Sequence, residues 1–299
     1  MTTVAQEIIL SPAPGGTPRW LRTLGSFTRR KPIAAASALV LVIICSMALL
    51  APLLETQPPN EQHLSDRLAS PSWDHPLGGD ELGRDEWSRI LHGGRISLGA
   101  GVGATLLGVA AGVIIGLVSG YAGGFIDLVL QRIVDAIMAL PPLILLMVIS
   151  TTLEKNFRNV IFAIAIFVTP GTARVLRGAV LSLKEMAYIE AARALGASPA
   201  RIVFRHILPN TFAPVIVITS ITVGSVILIE AALGYLGLSV RIPQATWGTM
   251  LNTGQAKWEL APILALAPGI AIIVTVFAIN LLGDGLRDVL DPRLRGKGH

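Results

Sequence analysis

Residues 190–210 read EAARALGASPARIVFRHILPN and set Glu190, Arg193, Arg201, Arg205 and His206 between two apolar runs. Side chains of these types could catalyse, hold a ligand or metal, or dock a partner. Catalysis has little to work with: no apolar run carries paired carboxylates, a His-x-x-x-His pair or a nucleophile beside a base. His63, His75 and His92 are scattered through one polar stretch, a poor spacing for metal ligands. The single cysteine, Cys45, excludes a disulfide framework and a cysteine metal site. A phosphate-binding G-x-x-x-x-G-K-[ST] is missing, because Gly296-Lys297 lacks both the upstream glycine and the following hydroxyl. The chain is therefore not expected to hydrolyse ATP. Gly99, Gly101 and Gly103 have the spacing of a dinucleotide loop, but no strand precedes them and no ribose-binding acid follows.

The polar stretch has local helix signals instead. A helix over 181–195 places Ala187, Ala191 and Ala194 on one face, and Gly196 follows where glycine can close a helix in the left-handed conformation. Ser198 and Pro199 form a start signal, a hydroxyl N-cap followed by proline at the first helical position. A second short helix then runs to about Leu208, with Arg201 and Arg205 at i, i+4 and Ile202, Val203 and Ile207 on an apolar side; Pro209 begins the next span. Arg193 is placed to pair with Glu190 at i+3, worth about 0.2–0.5 kcal/mol on an exposed helix. Two helices, a glycine turn and arginines imitate a DNA-binding motif. Spans on both sides hold the stretch against a membrane, so no nucleic-acid partner is expected. An amphipathic loop packed on its own bundle and a docking element for a soluble partner both stay open on these residues alone.

The elements around it are apolar. Of 299 residues, 52% are hydrophobic and 14% charged, against about 25% charged in soluble domains. Charge-free runs cover Pro32–Leu54, Ile96–Ile126, Ala136–Leu153, Asn159–Ala173, Ile207–Ile229 and Leu260–Gly283. A span needs about 20 apolar residues. Four runs reach this easily, Ala136–Leu153 narrowly, and Asn159–Ala173 only if its ends pass Arg158 or Arg174. Six spans are predicted, and no cleaved signal peptide. Lys and Arg near span ends favour the cytoplasm. The N-terminal tail, the segment 171–209 and the C-terminal tail are basic, while Glu55–Arg95 holds eight acids and four arginines. Six spans put all three basic segments, and both termini, on the cytoplasmic side. The division is a tail over 1–31, a first span over 32–54, an external loop with a short helix over 55–95, a five-helix body over 96–284 containing the insert 181–209, and a tail over 285–299.

Gly108, Gly112, Gly116 and Gly120 recur every four residues in the second span and give one helix face a flat stripe for close packing. Pro141, Pro142 and Pro170 kink the third and fourth spans. Glu230, near the outer end of the fifth span, either reaches water or meets the ammonium group of an entering substrate; an acid deeper inside would cost roughly 2.5–3.5 kcal/mol. Asp127, Arg132 and Asp135 read as a solvated loop.

The insert resembles the cytoplasmic coupling loop of ABC-importer permeases. Glu190, Ala191, Ala192 and Gly196 match its most characteristic positions, and His206, Leu208 and Pro209 match the ending of the peptide-importer branch. HPLGGDELGRDEWSRILHGGRISL, ALGYLGLSVRIPQATWGTML and NLLGDGLRDVLDPRLRG are similar to further segments of the C-type permease of dipeptide, oligopeptide and nickel transporters, so the resemblance covers nearly the whole chain. Gly79 stands where threonine is usual, Gly94 where alanine is, and Ser239-Val240-Arg241 replaces a Gly-x-Gln pattern.

The resemblance implies an all-α type I ABC-importer (MetI-like) permease fold in a bacterial inner membrane. It implies a transport subunit without cofactor, with ATP and magnesium on two cytoplasmic ATPase partners. A homologous B-type permease and an extracytoplasmic binding protein would complete the machine. Glu190, Ala191, Ala192, Arg193, Gly196, Ser198, Arg201, His206, Leu208 and Pro209 would then couple to the ATPases, with the lipid bilayer around the spans. Dipeptides or oligopeptides are the implied cargo; nickel chelates, glutathione and oligosaccharides are alternatives. A secondary transporter is a third possibility, but such proteins show internal repeats, and no second copy of the glycine stripe or the EAA stretch is present.

Overall fold

Asp85 caps a helix that then meets no breaker for 37 residues: its Oδ2 accepts from the Ser88 amide at 2.8 Å, and glycine stops the helix only at Gly123. The computed structural model describes residues 31–290. The helices are α1 (Pro32–Leu49), α2 (Ala51–Leu54), α3 (Glu86–Ala122), α4 (Gly124–Met138), α5 (Pro142–Thr152) and α6 (Phe157–Lys184). There follow α7 (Ala187–Ala194), α8 (Pro199–Ile202), a π turn (Val203–Ile207), α9 (Leu208–Tyr235), α10 (Trp247–Gln255) and α11 (Ile263–Leu290). Five stretches among the described residues are long and apolar enough to cross a membrane, or six if the bent pair α4–α5 counts as one.

The structure differs from the sequence reading at several boundaries. RDEWSRILHGGR is not a separate short helix, because from Glu86 it runs into α3 without a break; the loop before it holds a short 3-10 helix at Leu64–Asp66. The third run does not form one rod: α4 and α5 meet at 92°. Pro142 forces the residue before it into extended backbone, and Pro141 accordingly has ψ 131°. Single prolines break nothing here, and Pro170, Pro214 and Pro268 all sit inside continuous helices. The fourth span passes both Arg158 and Arg174. Asp127 and Asp135 are helical and paired, not a solvated loop: Arg177 Nε and Nη2 each donate to Asp127 at 2.6 Å, and Arg174 bonds Asp135.

The glycine register of α3 is filled by α6. A β-carbon at Gly108, Gly112, Gly116 or Gly120 would meet the Cβ of Val168, Thr172, Leu176 or Val180 at 2.7, 2.5, 2.6 and 2.8 Å. Each step of four on α3 thus matches a step of four on α6. Around this seam Ala104, Val109, Leu146, Ile164, Val226 and Leu233 bury one core, and Ile227, Trp247, Ile272 and Val276 a second. The outward faces are apolar, with Leu39, Ile114, Ile273 and Phe277 all exposed, the inverse of a water-soluble surface and the side that lipid covers. Lys31 at the head of α1 lies 2.5 Å from Asp288 near the end of α11, so the start of α1 and the end of α11 lie at the same end of the bundle.

Candidate functional site

Between Lys184 and Pro209 the chain makes a bracket on one end of the bundle. The predicted helix 181–195 is in fact two: α6 stops at Lys184, the chain turns at Glu185 and Met186, and α7 covers only Ala187–Ala194. Its C-terminus is closed by a Schellman motif. The Ala197 amide donates to the Ala192 carbonyl and the Gly196 amide to the Arg193 carbonyl, both at 3.0 Å, with Gly196 at φ +79°. Ser198 then caps α8 by accepting from the Arg201 amide at 3.4 Å, with Pro199 at the first helical position. Pro209 does not interrupt the chain. The π turn at Val203–Ile207 carries α8 directly into α9, so the second arm of the bracket is the start of the span itself.

One face of the bracket is locked down. Ile189, Ile202 and Ile207 are buried against Leu117 of α3 and Val180 of α6. The other face is open: Glu190, Ala191, Arg193 and Ala194 are exposed, and so are Met186, Tyr188 and Phe204, while Leu195 at the tip is 88% exposed. Glu190 and Arg193 form no ion pair among the described residues, contrary to the i+3 expectation; both extend into solvent. Arg201 and Arg205 are exposed too. His206 is half-buried beside Tyr188, ring centroids 6.3 Å apart, and Ala192 and Leu208 are half-buried. Sequence reasoning finds the alanines but misses Leu195, Met186 and Phe204, whose exposure depends on which isoleucines the bundle captures. A stiff anchored element with an apolar, charge-rimmed outer face can receive a partner and pass displacement to α3, α6 and α9.

Glu230 does not reach water. It is fully buried, and its carboxylate accepts from Ser97 Oγ of α3 at 2.8 Å and Ser239 Oγ at 3.0 Å. Ser97 Oγ accepts in turn from the Trp247 amide at 3.2 Å, tying α10 into the same knot. Replacing Glu230 by alanine would leave the Ser97 and Ser239 hydroxyl protons without their acceptor, at about 1–3 kcal/mol for each orphaned donor. We expect Glu230→Ala to lower the thermal unfolding temperature of the membrane-embedded subunit by several degrees. Glu230→Gln, close in shape, is expected to retain most of it. A Glu230→Gln variant with changed KM at unchanged stability would assign the carboxylate to substrate; unchanged rate and KM would assign it to structure.

At the outer end, residues 55–84 fold back over the first turns of α3. Thr56 Oγ1 donates to Asp85 at 2.7 Å, Arg84 Nε to Asp80 at 2.6 Å, and Trp87 Nε1 to the Leu54 carbonyl at 3.0 Å. A β-carbon at Gly79 would strike the Asp66 carbonyl, so the glycine there suits the way this loop closes.

Residues 112–296 match the family described as binding-protein-dependent transport system inner membrane component, and residues 26–71 the N-terminal TM domain of oligopeptide transport permease C. A glutathione transport system permease protein, GsiD, of Pectobacterium atrosepticum is 42% identical over 89% of this chain and 89% of its own length. GsiD of Shigella flexneri is 43% identical over 90% and 89%. A solved structure, the inward-facing MetNI methionine ABC transporter, aligns with 65% of this chain and 94% of its own at 20% identity and a TM-score of 0.49.

Proposed function

Because the chain belongs to the inner-membrane components of binding-protein-dependent transport systems, and so is a multi-pass permease subunit of a bacterial ABC importer and not an enzyme, we propose that it carries short peptides inward through a path shared with a homologous B-type permease. ABC importers of this family work with ATPase and binding-protein partners. In our reading two cytoplasmic ATPases hold all the ATP and magnesium, and this chain holds no cofactor. Their stroke enters through α7 and the Gly196 tip.

The observation that supports this best is the two-faced bracket. Three buried isoleucines fix it to α3 and α6, while an alanine face ending in Leu195 stays open for a groove. Small side chains permit close approach, and the Schellman closure makes the tip stiff enough to transmit force. Glu190, Arg193, Arg201 and Arg205 surround that face as the charged rim of the contact. The match to the oligopeptide permease N-terminal domain supports a peptide cargo. Glutathione is the second reading, favoured by the names of the relatives.

Two experiments test these readings. Affinity purification of the tagged chain from native membranes should recover a second permease and P-loop ATPases, and Leu195→Glu or Glu190→Lys should release the ATPases while the second permease stays bound. Recovery of the ATPases unchanged from both variants would refute docking through α7. Uptake of labelled dipeptide, tripeptide and glutathione by cells with and without the chain separates the cargo readings.

A further inference from the structure

Arg89, His92 and Arg95 lie on the outermost turns of α3, at the opposite end of that helix from the bracket. With the amides of Asn60 and Gln244 they line a cavity of about 300 Å³. No carboxylate among the described residues lines it. The acids that touch the cluster are already engaged: Glu55 Oε2 is 2.6 Å from His92 Nε2, and Asp80 Oδ2 is 2.6 Å from Arg84 Nε and 3.5 Å from Arg89 Nε. Arg89 is only 7% exposed and gives one hydrogen bond, from Nη1 to the Pro59 carbonyl at 3.2 Å. A guanidinium carries five N–H donors in a planar fork, so beyond the Pro59 carbonyl and the longer Asp80 contact the fork keeps donors without an acceptor among the described residues. Arg95 is exposed and forms no ion pair among the described residues.

An ion-paired arginine with spare donors, an exposed arginine without an ion pair among the described residues and two amides in one concavity favour an anion, and a planar fork suits a carboxylate. The volume is at the small end of ligand pockets, which run to roughly 300–1,000 Å³. It admits one or two residues of an extended chain and excludes a folded partner. We infer that this cavity is an anion site that takes the C-terminal carboxylate of a short peptide at the outer face of the permease. The inference rests on the peptide reading above for the source of the carboxylate, and on the lining alone for the site.

The test uses the full chain with its partner subunits in right-side-out membrane vesicles. Cys45→Ala removes the native thiol and Gln244→Cys puts one in the cavity wall. A negatively charged methanethiosulfonate is expected to label Cys-substituted position 244 about tenfold faster than a positively charged one, the low end of the 10–10³ enhancement such lined clefts give. Arg95→Gln should remove most of that preference and Arg95→Lys should keep it. A tripeptide with a free C-terminal carboxylate should slow labelling, and its C-terminal amide should not. Equal labelling by both reagents, or equal protection by acid and amide, would overturn the site. If the vesicles take up no peptide, yet the preference is present and glutarate protects, the anion site is supported and the peptide reading is refuted.

Discussion

Gly196→Val is expected to stop transport while the subunit still reaches the membrane and the delivery protein still binds cargo. The reasoning is conformational, not steric. A β-carbon at Gly196 would meet nothing within 4 Å among the described residues, so space is free there. The backbone is the obstacle: φ is +79°, where an L-residue pays roughly 1–2 kcal/mol and a β-branched one more. One or two kcal/mol is less than the roughly 5–15 kcal/mol that holds a domain folded, yet it shifts a local equilibrium about 5–30-fold. The bundle should therefore survive while the Schellman tip opens, freeing the Ala192 and Arg193 carbonyls and swinging Leu195 out of place. Gly196→Ala should be intermediate, and Gly196→Asn close to the unaltered chain, since asparagine tolerates the left-handed region best after glycine. The measurement is ATP-driven uptake alongside membrane abundance. Full transport by the valine variant would mean that the tip shape plays no role in coupling.

That tip is legible in the sequence because caps are local. Gly196, Ser198 and Pro199 need only their immediate neighbours to define a stop and a start, and the glycine period of α3 needs only the helix repeat. What depends on tertiary neighbours stays hidden. A glycine stripe does not name its partner, so the matched register of Val168, Thr172, Leu176 and Val180 on α6 emerges only from packing. Glu230 reads as a group near water because position along a span says nothing of what closes over it; Ser97 and Ser239 do so from 133 and 9 residues away. Asp127 and Arg177 look like ordinary cytoplasmic charges because their 50-residue separation conceals the contact. The bend between α4 and α5 is partly visible in Pro141-Pro142, but the sequence cannot tell a kink from a right-angle turn. The arginines of the outer cavity are dispersed among eight acids, and only the folding back of residues 55–84 sorts cation from anion.

The largest effect on stability is expected along the α3–α6 seam, from Gly112→Leu. At Gly112 a bare β-carbon already falls 2.5 Å from Thr172 Cβ, 2.8 Å from the Thr169 carbonyl and 2.9 Å from Thr172 Cγ2. Two of those atoms belong to a stiff β-branched side chain and one to backbone, so none can swing aside. Overpacking a tight core costs typically 1–3 kcal/mol and occasionally more. Here the only relief is to push the long helices α3 and α6 away from each other, and doing so at Gly112 also loosens Gly108 and Gly116 one turn away. The separation also reaches Leu117 and Val180, which hold the bracket, so damage at mid-membrane should be felt at the coupling end. Thermal unfolding in nanodiscs and membrane abundance should both fall sharply for Gly112→Leu. Gly178→Leu, on α6 with nothing within 4 Å of its β-carbon, should fall little. The double change Gly112→Ala with Thr172→Gly removes one of the two obstacles and should restore only some of the loss from Gly112→Ala alone, because the Thr169 carbonyl remains. Complete additivity of the two substitutions would mean that the helices do not meet through this pair, and that the stripe packs elsewhere.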